Sequence, residues 1–564
     1  MTDFIALVRV LAINAYRIDK DQKKQKRLVY ALLAAGFGPL IVMMSVAMFF
    51  AGQATARNAP EASANVLSLL FGAGALVVMF FGITAMLQVM FFSSDADFLF
   101  TLPVRRGKIF LAKLAVVYIT EVLTVSALLP IALCFGIGLS AGGAAVSVAY
   151  WITLPAAILI VPLIPLFLIA LLSFPVMYIV SFLKRKSMFA LVGGLALFAV
   201  IFAVYFGGVS YFSSLGETAG ESGAGADLTE LFLNFAAAGK YLYPFSFLAE
   251  FMMLRNPLLN LALFLLSAGA LFAAALLICG GMYGRGVRAQ QGGGKSPAEK
   301  TSVDLNVAAG TIEKELFKKE FKLLVRNTGF AFQSFLGVVI APIIIVFYGN
   351  MYTLGGGVSQ ELFSLGISMF MIFMMVCGLN YTAHVAFTRE GAYFYMNKFL
   401  PVPFRAVFDA KLKLAQAVSF AGIALSAVVV AVANLSVAGS VPLALLNFAL
   451  VCAVAGVVSY SLNRFGMLRD LKRPNLKWNN VREAVKNNTY VMLPMFISAA
   501  GGFFIMIAGA VFGSLSLFGG GGAYKAFAYA AFWVCAALVS VLIFVVFGMK
   551  KFENIDAMLE KIET

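Results

Sequence analysis

Long apolar runs alternate with short, polar, basic segments along nearly the whole chain. A run of about 20 apolar residues is long enough to cross a roughly 30 Å hydrocarbon core as a helix. Twelve such runs can be counted, approximately 28–52, 64–92, 114–139, 146–172, 188–212, 257–282, 330–352, 361–388, 414–434, 442–463, 490–516 and 525–549. They are continuous rather than alternating, which excludes barrel strands. The pattern predicts an all-α polytopic membrane protein of about 12 transmembrane helices.

A Gly-, Gln-, Ser-, Pro- and Lys-rich stretch at 283–310 interrupts the pattern and has the composition of a flexible cytoplasmic linker. It separates a first transmembrane half (1–282) from a second (311–564), each with six apolar runs. An even number of crossings keeps both halves in one orientation, so they are two parallel six-helix repeats. Each half opens on an amphipathic segment. In the second half Ile312, Leu316, Phe317, Phe321, Leu324 and Val325 follow helical spacing, and Lys314, Lys318, Lys322 and Arg326 recur every four residues on another face. The first half offers Phe4, Val8, Leu11, Ala12 and Ala15 with Arg9 and Arg17. Interfacial amphipathic helices are expected, basic face toward lipid head groups. They serve either as plain anchors or as connecting helices that also touch a soluble subunit.

Hydrophobic residues make up 62% of the chain and charged residues 12%, and the net charge is +16. With the amino terminus placed inside, all but four of the 42 Lys and Arg fall on inner segments; Arg57, Lys240, Arg255 and Lys525 are the exceptions. That bias places both termini in the cytoplasm and reads the surplus as topology and attraction to anionic lipid, not nucleic acid. The plasma membrane (a bacterial inner or cell membrane) is the expected location. The first 27 residues are too charged for a secretory signal. Cys134, Cys279, Cys377, Cys452 and Cys535 lie in apolar runs without a CxxC pair, so no metal site or disulfide framework is expected.

One short segment occurs twice. Leu102-Pro103-Val104, Phe110 and Lys113 recur as Leu400-Pro401-Val402, Phe408 and Lys411, each 298 residues further on. Each copy lies between two apolar runs and carries basic residues, as a cytoplasmic loop does. An acidic start (Asp95 and Asp97; Glu390), a few aromatics and a Pro break predict a short helix across the membrane axis, with Asp95 or Asp97 as cap. Phe98, Tyr393 and Phe394 are expected to be exposed anchors for a partner's groove. Arg105, Arg106 and Arg405 are expected to add polar contacts. The alternative is that duplication preserved a turn needed only for folding. Between residues 213 and 256 an acidic Gly-rich stretch precedes Tyr241-Leu242-Tyr243-Pro244-Phe245-Ser246-Phe247. That outer segment is too short to span and predicts a re-entrant or interfacial element whose backbone is buried in protein.

Among candidate polar sites, Glu121 is the acid well inside a run, with pairing to an inner basic residue as the plainer expectation. His384, the sole histidine, is expected to be hydrogen-bonded and structural. A loose phosphate-loop pattern at 289–296 has neither a strand before it nor a helix opening after it, so nucleotide binding there is not expected. No nucleophile–base pair appears, and no catalytic residue is expected.

The acid, aromatic, Leu-Pro-Val, basic and Phe-x-x-Lys order resembles the loop after the second helix in ABC-2-type permeases. The run Lys319-Glu320-Phe321-Lys322-Leu323-Leu324-Val325-Arg326-Asn327 is similar to that family's entry segment. These are membrane subunits of ATP-binding cassette exporters. The resemblance implies that residues 93–108 and 389–405 are coupling helices. It also implies two copies of a soluble ATPase as partners, with ATP and Mg on that partner and no cofactor on this chain. Both halves are fused here where many relatives dimerise, and Gly391-Ala392 leaves the second copy fewer acids, so unequal coupling is expected. The Phe- and Met-rich composition suggests an apolar or amphipathic substrate. A 12-helix secondary transporter with an ion site near Pro162, Pro165 and Pro175 is the rival reading, and a membrane scaffold or sensor is a third.

Overall fold

A computed structural model describes residues 2–15, 23–91, 96–180, 192–193, 196, 238–291, 312–353, 358–399, 402–438, 440–476, 478, 484, 489–518 and 522–549. The fold is all-α. Among the described residues nine helices are long and apolar enough to cross a membrane, or up to ten if a bent pair counts as one span. Of the other two apolar runs, 28–52 lies within a long helix whose side chains are only partly described, and 188–212 lies almost wholly outside the described residues.

In chain order the first part comprises α1 (Thr2–Ala15), α2 (Lys23–Asn58), α3 (Ser63–Met86), α4 (Ala96–Thr101), α5 (Arg106–Val125), α6 (Leu128–Ala141), α7 (Val148–Ile160), α8 (Leu163–Val180), α9 (Phe245–Met252) and α10 (Pro257–Gln291). The second comprises α11 (Ile312–Arg326), α12 (Thr328–Thr353), α13 (Val358–Met371), α14 (Tyr381–His384), α15 (Met396–Phe399), α16 (Phe404–Ala438), α17 (Val441–Lys472), α18 (Thr489–Phe518) and α19 (Gly522–Ile543). Packing divides the chain into two compact units. One holds Met1–Asp19, Phe37–Lys186 and Ala196–Gly294; the other holds Lys20–Gly36, Ser187–Leu195 and Lys295–Thr564.

One apolar run that reads as a single span is bent, and another, 146–172, carries a local interruption of its helix. The run at 114–139 bends by 44° between α5 and α6. Pro130 lies four residues after Ser126, so it withholds an N–H and its ring crowds the Ser126 carbonyl. The Ser126 hydroxyl donates to the Leu123 carbonyl at 2.6 Å. The α7–α8 break at Val161–Pro162 has the same origin, because Pro165 has no N–H for the Val161 carbonyl.

The first unit closes around Leu67, Phe71, Val78, Phe135, Tyr150 and Leu154, with Phe245 and Phe264 completing the cluster. The Tyr150 hydroxyl, fully buried there, donates to the Ala132 carbonyl at 2.7 Å. Helices α2 and α6 meet backbone to backbone: a Cβ on Gly138 would collide with the Phe49 carbonyl, and one on Gly52 with that of Phe135. Such close crossings suit a membrane, where association rests on packing rather than on expelling water.

The described part of the 213–256 segment forms a short helix buried against its unit. The α9 helix buries Phe245, Leu248, Ala249 and Met252 and packs on α3, α7 and α10. Ser68 donates to the Gly239 carbonyl at 2.8 Å, and Arg255 to the Glu61 and Pro60 carbonyls at 2.8 and 3.3 Å. Its Gly-rich approach, residues 213–237, lies outside the described residues.

In the second unit α13 packs along α18, and α16 pairs with both α12 and α17. A buried amide cluster joins α16 and α17 to the end of the second apolar run. Asn380 Nδ2 donates to Ser419 Oγ (2.8 Å), Asn463 Oδ1 (3.0 Å) and the Ala415 carbonyl (2.9 Å). Asn463 Nδ2 donates to Gln416 Oε1 at 3.1 Å, and Gln416 Nε2 to Ser459 Oγ at 2.8 Å. Internal satisfaction is what makes these groups tolerable at membrane depth.

Candidate functional site

The duplicated segment forms a short helix, a turn and a long helix in both units. In the first copy α4 precedes Leu102–Arg105, and α5 begins at Arg106. In the second, a 3-10 turn (Thr388–Tyr395) leads into α15, and α16 begins at Phe404; Leu400 and Pro401 lie outside the described residues. The residues shared by the copies have unlike fates. Phe110 and Lys113, with Phe408 and Lys411, are all buried. Pro103 is exposed, and Leu102, Val104 and Val402 are half-buried.

Both lysines do the same local work. The second apolar run of each unit contains a π-turn, at its end in the first (Leu87–Phe91) and in its middle in the second (Ile372–Gly378). Leaving α-geometry frees backbone carbonyls, which must be satisfied where water is scarce. Lys113 donates to the Val89 carbonyl at 3.0 Å, and Lys411 to the Ala386 carbonyl at 3.3 Å. The repeated lysine therefore ties the base of one long helix to the end of the preceding one.

In the second unit that lysine also belongs to a buried charge cluster. Lys411 lies 2.8 Å from Glu320 Oε2 and 2.6 Å from Glu390 Oε1. Arg389 Nη2 lies 3.1 Å from the same Glu320 oxygen, and Lys319 stands 3.9 Å from the other. Asn397 donates to Glu390. Burial alone would push the Glu320 carboxyl up, but Lys411 and Arg389 outweigh it and hold the group below the ordinary glutamate range. Glu320 projects from the face of α11 that carries Leu316 and Leu324, and that face packs on α16. The amphipathic segment thus turns Leu316, Glu320 and Leu324 to protein, while Ile312 and Phe321 of its apolar face are exposed. Lys314, Lys318, Lys322 and Arg326 are exposed on the other side. At its outer end Glu313 pairs with Lys413, and the hydrogen bond from Lys413 lowers the Glu313 carboxyl.

The loop is pinned from a second direction. Asp470, at the end of α17, accepts from the Phe387 and Thr388 amides at 2.7 and 3.0 Å and from the Thr388 hydroxyl at 2.5 Å. Trp478 donates to the Thr388 carbonyl at 2.7 Å. Gly391 has φ +55°, and a Cβ there would press on the Trp478 ring at 3.3 Å. Only a residue without a side chain fits both constraints.

Of the expected partner-facing residues, Phe98 (67% exposed) and Tyr393 (72%) are at the surface, with Tyr395 and Phe399 beside the latter. Arg105, Arg106 and Arg405 are exposed. Arg405 lines a groove of about 230 Å³ with Glu313, Pro403, Asp409 and Lys413. Two expectations are corrected. Phe394 is fully buried against Phe387, with Phe404 and Phe408 in the same cluster, because the kink at Gly391 turns it inward. Glu390 is held by Lys411 and Asn397 and is not a surface contact. Asp95, and the Asp97 side chain, lie outside the described residues. His384 is buried against Gly466; its ring nitrogens have no hydrogen-bond partner among the described residues, so its place is set by packing rather than by hydrogen bonds. Glu121 is buried with Gly82 at its carboxyl carbon, and the repeat-equivalent pair is Ser419 and Asn380, part of the amide cluster.

The sequence carried a signal for Glu320 that apolar spacing does not use. Glu320-Phe321-x-x-Leu324-Val325-Arg326 repeats as Asp3-Phe4-x-x-Leu7-Val8-Arg9. Moreover, α1 packs on α5 as α11 packs on α16.

Continuous apolar helices, a bent span and internally satisfied polar groups define a polytopic helical membrane protein. A family model described as a membrane protein of 12 transmembrane segments matches residues 28–550. The chain belongs to that family. Neither the curated proteins nor the solved structures contain a match to it.

Proposed function

We propose that the chain is the fused transmembrane permease of an ATP-binding cassette exporter in the plasma membrane, with both termini in the cytoplasm. One observation carries this reading. Both copies of the duplicated loop present an exposed aromatic residue and exposed arginine at the foot of a long helix whose Phe and Lys are buried. A handle of that kind transmits a push from outside the membrane into a span. Phe98, Arg105 and Arg106 form the first handle; Tyr393, Tyr395, Phe399 and Arg405 form the second. Separate ATPase subunits, carrying ATP and Mg, dock on them and rock the two halves between inward- and outward-facing states. The cargo is apolar or amphipathic, and the chain performs no chemistry itself.

The test is co-purification of the chain with an ATPase encoded beside it. The expected result is a complex whose ATP hydrolysis rises with the permease present. Charge reversal at Arg105 and Arg106, and separately at Arg405, is expected to weaken that complex. Absence of any binding by the wild type overturns the reading.

A 12-helix carrier driven by an ion gradient is the alternative. It is favoured by the 44° break between α5 and α6 in the helix pair that carries buried Glu121. Gradient-driven uptake into liposomes without ATP would select it.

A further inference from the structure

Three elements of the second unit converge on four charged side chains. Glu320 comes from α11, Arg389 and Glu390 from the loop after α14, and Lys411 from the second turn of α16. All four are buried. The cluster has two acids and two bases, so it is neutral as a set, and each pair stands between 2.6 and 3.1 Å. The elements joined in this way also carry the exposed groups: Tyr393 and Phe399 on the loop side, Arg405 on α16, and the basic row on α11.

We infer that Glu320 is a positioning residue: it latches α11, the 388–399 loop and the foot of α16 into one body, so that a displacement at the loop is delivered to the membrane helix rather than lost between elements. Three features support this beyond ordinary packing. One Glu320 oxygen is shared by Lys411 and Arg389, so α11 is tied to the loop and to α16 at one point. Removing that oxygen's charge leaves Arg389 and Lys411 buried with Glu390 as the remaining acid of the four, an uncompensated positive charge that weakens the joint. Arg389 has Nε and Nη1 without a hydrogen-bond partner among the described residues, and its Nη2 is held by Glu320. The loop itself is short 3-10 and helical pieces joined at Gly391, which have little rigidity of their own.

The delivery of force rests on the exporter reading; the latch does not. Hydrogen exchange on the full chain in lipid nanodiscs, without a partner, tests the latch. Glu320→Gln is expected to raise exchange of the 388–399 amides at least tenfold, with Glu320→Asp intermediate and the α13 and α18 spans unchanged. Unchanged exchange in 388–399, or an equal rise throughout the chain, overturns it. Should Glu320→Gln fail to fold, Glu390→Gln removes the loop-side acid while leaving Glu320 in place, and the same local rise is expected. With the ATPase bound, Glu320→Gln is expected to retain the complex but move about tenfold less cargo per ATP hydrolysed. An unaltered ratio overturns the positioning role. A wild type that binds no ATPase sinks the exporter reading and leaves the latch to be judged by exchange alone.

Discussion

The feet of the two long helices, α5 and α16, share a buried lysine, and at the second a charge cluster surrounds it. Each lysine stands at the repeated position and reaches back to a backbone carbonyl of the preceding apolar run: Val89, inside a π-turn, and Ala386, eight residues beyond one. Around Lys411 stand Glu320, Glu390 and Arg389, and Lys113 donates to the Val89 carbonyl. The common part is a lysine tie from the long helix to a carbonyl of the run before it, where a backbone acceptor away from water needs a donor. The additional part in the second unit binds an amphipathic helix and a loop to that foot.

The comparison breaks most sharply at Glu320. Glu320→Ala is expected to destabilise the second unit by about 3–5 kcal/mol, as orphaning buried charges does. Lys113→Met, which frees a carbonyl, should cost about 1–3 kcal/mol. Unfolding midpoints in detergent would rank them, and equal losses would contradict the difference between the two feet. Adjacent aromatics should separate as widely: Phe394→Ala about 3–5 kcal/mol from the cavity it leaves, and Tyr393→Ala within about 0.5 kcal/mol. Only the Tyr393 variant is expected to weaken a docked partner without lowering stability.

Next in size, Gly391→Ala should cost about 1–3 kcal/mol, since a Cβ at φ +55° is strained and meets Trp478. A near-UV signal from the Trp478 environment would report the shift. The smallest effect is an acid-side dependence. Because the folded Glu320 carboxyl titrates below its unfolded value, its contribution is complete above the ordinary glutamate value of about 4.3 and is lost as pH falls through the lower folded value. The stability difference between wild type and Glu320→Gln should therefore shrink only below about pH 4.3. A difference that grows there would reverse the sign assigned to Glu320.

Much of this was legible in the residues themselves. Unbroken apolar runs require helices, because isolated backbone groups have no partner in hydrocarbon. The duplicated Leu-Pro-Val, Phe and Lys positions, the amphipathic entry of the second half and the aromatic segment at 241–247 are all present in the order of residues. The charge cluster was hidden because Glu320, Arg389 and Lys411 are 69 and 22 residues apart and no periodicity connects them. Phe394 looked like an anchor because aromatic residues on both sides of it are exposed, and only the turn at Gly391 separates Tyr393 outward from Phe394 inward. The bend after Val125 was foreshadowed by Pro130, but its angle belongs to packing.

By itself, the order of apolar and polar residues determined a helical membrane protein with a repeated loop, because hydrocarbon allows few ways to satisfy a backbone. Tertiary structure alone decided which members of that loop face outward and which are locked inside. That choice depends on charges and rings brought together from distant helices, where a few ångströms separate a solvated side chain from a buried pair.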